Sequence, residues 1–286
     1  MNKMRKLLAV LIAVGMIGCC LGGCGGSTGG GSAESGDTDK EKQDLIVFAA
    51  ASMTETLTEL GDDYMAEHPE INIVYTFDSS GTLKTQIEEG AACDIFISAA
   101  QKQMDGLDAA ADAEANPDGL DFVDPDTRFD ILENKVVLVV PEGNPKNINS
   151  FDDMKAGLED GSIKMAMGNE DVPVGQYTQK ILAYYGLDES KLAEAGVITY
   201  GTNVKEVTTQ VGESTVDCGI IYETDAYSAG MDPVATATEE MCGKTIYPAA
   251  VLKGTSDKDA AVSFLEYLKG DHAKEVFEKV GFIPLT

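Results

Sequence analysis

The length, composition and charge of the chain exclude several classes of protein. It has 286 residues, 43% hydrophobic and 24% charged, and its 21 basic residues are outnumbered by 49 acidic ones, which gives a net charge of −28. This composition is that of a globular protein, and the length favours two lobes over a single core. The negative charge opposes binding to nucleic acid or to an anionic membrane surface. With only two histidines, a His-built zinc site or catalytic triad is disfavoured.

The N-terminal segment predicts export. Lys3, Arg5 and Lys6 give residues 1–23 a positive start, and the apolar run from Leu7 to Ile17 is too short to span a bilayer comfortably. This pattern is typical of a secretory signal peptide and not of a transmembrane helix. The segment is therefore expected to direct the chain out of the cytoplasm.

A cysteine and a polar stretch follow the signal peptide. The sequence Leu-Gly-Gly-Cys that ends at Cys24 resembles the site at which bacterial lipoproteins are cleaved and lipidated, with Cys19 and Cys20 as alternative cleavage points. Residues 24–43 are rich in glycine and serine and then in charged residues, which predicts a flexible tether. We expect a protein anchored by lipid at Cys24, with ordinary secretion as the alternative.

The rest of the chain alternates apolar strand-like stretches with helical patterns. The predicted strands are 45–51, 71–77, 94–98, 135–140, 163–167, 197–200, 219–222 and 246–252. The predicted helices are 54–67, 82–89, 176–185, one carrying Val204, Val207 and Val211 on one face, 257–269 and 271–280. Residues 105–130, rich in Ala and Asp, carry no clear pattern. This order predicts an α/β protein with parallel sheets in two lobes that divide near 141–145 and 242–248.

Four junctions between a predicted strand and the next helix consist of small or hydroxyl residues. They are Ala51–Thr54, Ser79–Thr82, Val172–Gly175 and Gly201–Val204. A helix start exposes unpaired N–H groups and a partial positive charge, and ligands of open α/β sheets gather at this edge. Because basic residues are scarce near the junctions, the pattern predicts a small anion held by neutral donors. Alternatively, each junction only caps a helix, and Tyr222 is an ordinary core aromatic.

Other chemistry-bearing patterns are incomplete. Gly243–Thr245 resembles the end of a P-loop but lacks the earlier glycine, and no G-x-S-x-G or S-x-x-K motif provides a serine nucleophile. Asp124, Asp126 and Asp130 fit a solvated acidic turn better than a calcium loop. The remaining cysteines are Cys93, Cys218 and Cys242. They are expected to be buried free thiols, although Cys218 and Cys242 could pair.

Six segments of the chain form a recognisable set: FAAASMT (48–54), FDSSGTL (77–83), GAACDIFISA (90–99), DVPVGQY (171–177), GIIYETDA (219–226) and the end of the chain from YLKG (267–270) to Phe282. Together they resemble the molybdate-binding proteins of bacterial ABC importers. They occur in family order from about Leu45 to Phe282. The resemblance implies a type II periplasmic-binding-protein fold, with two α/β lobes of mixed, mainly parallel sheets joined by a hinge. Lobe 1 would comprise 44–142 and 246–286, and lobe 2 would comprise 143–245.

The resemblance also implies a ligand and a set of residues that hold it. Ser52 and Ser80 would each bind the anion through hydroxyl and N–H, Val174 and Val204 through their N–H groups, and Tyr222 through its hydroxyl. Such a shell contains donors only, which suits molybdate, tungstate or sulfate better than phosphate, because hydrogen phosphate also needs an acceptor. Molybdenum would be bound as its oxyanion, with no direct metal ligand and no cofactor.

The resemblance finally implies a role. It predicts a monomeric extracytoplasmic lipoprotein that is tethered to the outer face of the membrane. The protein would deliver molybdate, and tungstate as well, to an ABC permease driven by its ATPase. The nearer alternative is a binding protein for sulfate, thiosulfate or another small oxyanion. An exported hydrolase or a sensor domain is a more distant alternative, since neither a nucleophile with its base nor a metal cluster is visible.

Overall fold

The computed structural model describes residues 42–286. The predictions of a signal peptide over 1–23, of lipidation at Cys24 and of nearly all of the tether lie outside the described residues. In the described part, no helix has both the length and the apolar character needed to cross a bilayer.

Strands and helices alternate along most of the chain. The strands are β1 (Gln43–Ala50), β2 (Ile71–Asp78), β3 (Ile95–Ile97), β4 (Phe129–Asn134), β5 (Val136–Val139), β6 (Met165–Gly168), β7 (Ile198–Gly201), β8 (Cys218–Tyr222), β9 (Ala235–Thr236), β10 (Thr245–Val251) and β11 (Ile283–Pro284). The helices are α1 (Thr54–Glu67), α2 (Ser80–Glu88), α3 (Gln101–Asp105), α4 (Phe151–Asp160), α5 (Pro173–Tyr184), α6 (Glu189–Glu194), α7 (Val204–Gly212), α8 (Glu223–Ser228), α9 (Glu239–Cys242), α10 (Lys258–Tyr267) and α11 (Asp271–Lys279). A 3-10 turn, Ala51–Met53, precedes α1.

The strands form two mixed sheets. The first has the order β11-β4-β10-β3-β1-β2 and the second has the order β7-β6-β8-β5-β9. In the first sheet β1 pairs in parallel with β2 and β3, and in the second β6 pairs in parallel with β7 and β8; the other pairs are antiparallel. The predicted two-lobe α/β architecture is confirmed. Parallel pairing is less dominant than predicted, because β5 and β10 each run against both of their neighbours.

The chain crosses from the first sheet to the second between Asn134 and Val136, and it returns between β9 and β10. The predicted boundary after residue 142 assigned residues 136–139 to lobe 1. Hydrogen bonding instead pairs this strand with β8 and β9 of the second sheet, which corrects the prediction. The physical reason is that one residue, Lys135, separates β4 from β5, so the sequence shows no loop where the sheet changes. The other lobe limits stay predictions.

Several helix boundaries follow from local chemistry. Helix α1 buries Leu57, Leu60 and Tyr64 and ends shortly before Pro69, as predicted. Helix α2 begins two residues before the predicted start, because the Ser79 side chain accepts a hydrogen bond from the N–H of Thr82 and caps the helix. Helix α5 begins at Pro173 and not at the predicted Gln176, since proline is well suited to the first helical position. Both changes bring helix starts to the predicted junctions.

An arginine organises the acidic region between α3 and β4. The Arg128 guanidinium donates to Asp108 and to the Gln101 side chain, each at 2.7 Å, and also to Asp105. Strand β4 was not among the predicted strands, and it begins within the acidic region. Within residues 42–286 all three cysteines are buried and none forms a disulfide, which confirms the expectation of free thiols.

Candidate functional site

A small cavity lies between the two sheets, where all four predicted junctions meet. Its lining comprises Ala50, Ala51, Ser52, Asp78, Ser79, Ser80 and Ala99 from the first lobe and Val172, Pro173, Val204 and Tyr222 from the second. It contains about 200 Å³ of space between atoms, part of which is open to solvent. The part that the centre of a water-sized sphere can reach is only about 10 Å³, far below the clefts of roughly 300–1,000 Å³ that take drug-sized ligands, so the geometry suits only a small ligand.

Three helices begin at the cavity wall. Ser80, Pro173 and Val204 are the first residues of α2, α5 and α7, and each contributes to the lining. The N-cap of helix α5 is Val172, whose side chain makes no hydrogen bond to the N–H groups of the first turn. Unpaired N–H groups and the helix dipole together favour an anion at this position.

Four buried residues that line the cavity carry hydroxyl groups, and one of them, Ser79, uses its hydroxyl to cap α2. Ser80 Oγ accepts a hydrogen bond from the N–H of Ala99 at 2.9 Å, and Ser52 Oγ lies 2.8 Å from Tyr247 Oη. The hydroxyl of Tyr222 is buried and has no hydrogen-bond partner within the described part of the chain. Burial raises the pKa of Tyr222 well above its ordinary value, so this hydroxyl keeps its proton. A buried donor without a partner costs about 1–3 kcal/mol, which a ligand acceptor would offset.

The charge at the cavity differs from the sequence-based expectation in one respect. Among residues 42–286, no lysine or arginine lines the cavity, but one carboxylate, Asp78, does. Asp78 Oδ1 accepts hydrogen bonds from the N–H of Ser79 at 2.7 Å and from Asn203 Nδ2 at 3.4 Å. The lining is therefore not made of donors only. Asp78 ends β2 directly before Ser79, and this position at a junction could have identified it.

Contacts between the lobes surround the cavity. The N–H of Gly81 donates to the carbonyl of Asp171 at 3.1 Å, and a Cβ at Gly81 would lie 2.2 Å from that oxygen, so only glycine permits this approach. Lys205 Nζ lies 2.8 Å from both carboxylate oxygens of Glu55 and 3.2 Å from Asp225 Oδ1. The structure therefore presents the two lobes in contact next to residues that line the cavity.

The buried Asp225 carboxyl and its neighbour Lys205 both have raised pKa values. Burial raises the pKa of Asp225 to about 6, although Lys205 opposes that shift. For Lys205, burial alone would lower the pKa, but attraction by Asp225 and Glu55 outweighs burial and raises it.

The structure brings together four of the five residues proposed from the family resemblance. Ser52, Ser80, Val204 and Tyr222 line one cavity. Val174 is fully buried and follows the lining residue Pro173, but it is not itself part of the lining. Sequence reasoning missed Tyr247 and Asn134, which lie behind Ser52.

Two α/β lobes that enclose a small cavity with hydroxyl groups and helix starts define a two-lobed binding protein. A sequence profile of the bacterial extracellular solute-binding proteins matches residues 45–283, and the chain belongs to this family. Membership of a solute-binding family confirms the expectation that the chain is a binding protein and not an enzyme.

Characterised relatives are similar over most of their length. The chain is 34% identical to the putative ABC transporter substrate-binding lipoprotein YvgL of Bacillus subtilis, over 88% of this chain and 92% of YvgL. It is also 34% identical to the molybdate-binding protein ModA of Escherichia coli, over 87% of this chain and 93% of ModA. The solved periplasmic molybdate-binding protein of Azotobacter vinelandii superposes with a TM-score of 0.69 at 22% identity, over 84% and 98% of the two chains. This last likeness supports the fold.

Proposed function

We propose that this protein captures molybdate, and tungstate as well, outside the cytoplasm and delivers it to an ABC permease driven by a cytoplasmic ATPase. The observation that carries the proposal is the cavity between the lobes, where hydroxyl groups and helix starts meet and to which no cationic side chain of residues 42–286 contributes. The similarity to proteins named for molybdate binding supports the choice of anion. The binding cycle comprises capture by open lobes, closure around the anion, docking and release.

The proposed ligand contacts are hydrogen bonds from neutral groups. Ser52 and Ser80 donate from hydroxyl and N–H, Tyr222 donates from its hydroxyl, and Val174 and Val204 donate from N–H groups at the starts of α5 and α7. Micromolar binding requires about −8 kcal/mol, and several charge-assisted hydrogen bonds in a cavity that excludes water can supply it. Molybdate is fully deprotonated near neutral pH and accepts all of these bonds.

The alternative is another small oxyanion, such as sulfate or thiosulfate, in the same cavity. Asp78 bears on this choice, because its carboxylate could accept a hydrogen bond from the O–H group of hydrogen phosphate. Its Oδ1 is already engaged by Ser79 and Asn203, however, which favours a role in the cavity wall. We therefore favour the deprotonated anions over phosphate.

The anchor and the cellular location also belong to the proposal. The lipid is attached at Cys24, the tether is residues 24–43, and the lobes stand as a monomer on the outer face of the membrane. The similarity to a relative named as a lipoprotein supports this arrangement. Mass spectrometry of the protein extracted from bacterial membranes tests it, since lipid at Cys19 or Cys20 would move the anchor, and no lipid on any of the three cysteines would contradict lipid anchoring.

A ligand screen tests the anion. We expect sodium molybdate and tungstate to raise the melting temperature of the chain, with binding by calorimetry, and sulfate, thiosulfate and phosphate to act weakly or not at all. Stabilisation by sulfate but not by molybdate would overturn the choice of anion. The variant Ser80→Ala should bind molybdate more weakly with its fold intact, and unchanged affinity would count against the proposed ligand set.

A further inference from the structure

A chain of hydrogen bonds leads from the crossing between the two sheets to the cavity. Asn134 is the last residue of β4, and its Nδ2 lies 3.1 Å from Tyr247 Oη and 3.0 Å from Thr224 Oγ1. Tyr247 Oη in turn lies 2.8 Å from Ser52 Oγ. Asn134 and Tyr247 are both buried, and neither lines the cavity.

The orientation of the Asn134 amide is determined by the main chain. Its Oδ1 accepts a hydrogen bond from the N–H of Lys135 at 2.8 Å. If the amide were turned over, its NH₂ group would face that N–H, and two donors would oppose each other. The NH₂ group therefore points toward Tyr247 and Thr224, and Tyr247 Oη accepts a hydrogen bond from it.

The direction of the next hydrogen bond follows from this one. Tyr247 has a single proton, and the only acceptor within its reach among residues 42–286 is Ser52 Oγ. The opposite direction would leave the buried Tyr247 proton unpaired, at a cost of about 1–3 kcal/mol. Burial also raises the pKa of Tyr247 well above its ordinary value, so the proton is retained. Tyr247 thus donates to Ser52, and the proton of Ser52 is left for the cavity.

We propose that Asn134 and Tyr247 are positioning residues that orient the Ser52 hydroxyl as a donor into the cavity, and so adapt the site to deprotonated oxyanions. The inference rests on the proposed function. Ser80 is held in an equivalent way, since its oxygen accepts the N–H of Ala99 and its proton is free to be donated. The two serine hydroxyls are therefore set as donors by the protein before a ligand arrives, because each oxygen already accepts a hydrogen bond from within the first lobe.

Two substitutions test the chain of hydrogen bonds, one by removing a member and one by reversing the direction of its bonds. Tyr247→Phe removes the group that fixes Ser52, and molybdate affinity should fall about 10-fold, the loss of one oriented hydrogen bond to a charged group. Asn134→Asp replaces the donor with an acceptor, so that Tyr247 donates to the carboxylate and Ser52 donates to Tyr247. The Ser52 lone pairs then face the anion, and we expect a loss of about 100-fold or more.

A double-mutant cycle separates this mechanism from a general disturbance. In a Ser52→Ala background, Tyr247→Phe and Asn134→Asp should each change the affinity by less than about 3-fold, because their effects pass through the Ser52 hydroxyl. A purely electrostatic effect of the new carboxylate would persist in that background. Tyr64→Phe is the matched control, since the Tyr64 hydroxyl is bonded to Ser263 and Tyr64 does not line the cavity.

The outcomes distinguish the inference from the proposed function. If the wild-type protein binds molybdate and Tyr247→Phe binds it equally well, the inference alone is overturned. The same holds if the loss of affinity in Tyr247→Phe adds to the loss in Ser52→Ala. Wild-type protein that binds none of molybdate, tungstate and sulfate overturns both. If Asn134→Asp fails to fold, as judged by circular dichroism, the Tyr247→Phe cycle decides the question by itself.

Discussion

The two halves of the cavity hold their hydroxyl groups differently. In the first lobe, Ser52 and Ser80 each have a partner in that lobe, Tyr247 and the N–H of Ala99. In the second lobe, the hydroxyl of Tyr222 has no partner within the described residues. The difference indicates that the first half is organised before the ligand binds, whereas the second half contains a donor for which no described residue is the acceptor. The lobes should therefore differ in how substitutions affect stability and affinity.

The largest expected effect comes from preventing the lobes from meeting. In Gly81→Ala, the new Cβ would lie 2.2 Å from the carbonyl oxygen of Asp171, and a backbone oxygen cannot move away as a flexible side chain could. We expect the closed form to be disfavoured and molybdate affinity to fall about 100-fold in calorimetry. The melting temperature without ligand should stay near that of wild type, because alanine is well tolerated in the first turn of α2. Unchanged affinity would show that this contact does not limit closure.

A second effect concerns the dependence of stability on pH. The pKa of Asp225 is about 6 in the folded chain against an ordinary value of 3.8, so the folded state binds this proton more tightly. The contribution of Asp225 to the free energy of unfolding is therefore greatest below pH 3.8 and is lost as the pH rises to about 6, by at most on the order of 3 kcal/mol.

Thermal melts of Asp225→Asn and wild type from pH 4 to 7 test this expectation. The melting temperature of wild type should fall relative to that of the variant as the pH rises, since asparagine does not titrate. A difference that is constant with pH would mean that Lys205 compensates for the burial of the carboxylate.

The smallest expected effect comes from Tyr222, and it tests the difference between the two halves of the cavity most directly. Tyr222→Phe removes a hydroxyl that has no partner in the described chain, so it should leave the stability of the ligand-free protein unchanged or slightly increased. Molybdate affinity should nevertheless fall about 10-fold, because one donor to the anion is lost. Tyr64→Phe serves as the control, since it breaks a bond to Ser263 and should reduce stability without affecting affinity. The comparison between the halves fails if Tyr222→Phe destabilises the protein as much as Tyr64→Phe does.

Sequence reasoning succeeded where local patterns carry the information. Helix α1 has the predicted bounds, because its apolar face is periodic and Pro69 follows closely. It was less accurate where two elements adjoin without a loop, as at Lys135, where a change of sheet leaves no local signal. The start of α5 was placed three residues too late, since the apolar residues after Pro173 were attributed to the turn.

By itself, the sequence determined the α/β alternation, the two lobes and the junctions whose residues meet at the cavity, because strand periodicity, helix capping and the edge at which parallel strands end are local or topological properties. Only the tertiary structure decided that Asp78 joins the lining and that Asn134 and Tyr247 stand behind Ser52. Ser52 and Tyr247 are 195 positions apart, and the Asn134–Tyr247 contact spans 113 positions. The direction of a hydrogen bond depends on which groups pack against each other, and packing between distant segments leaves no periodic trace in the sequence.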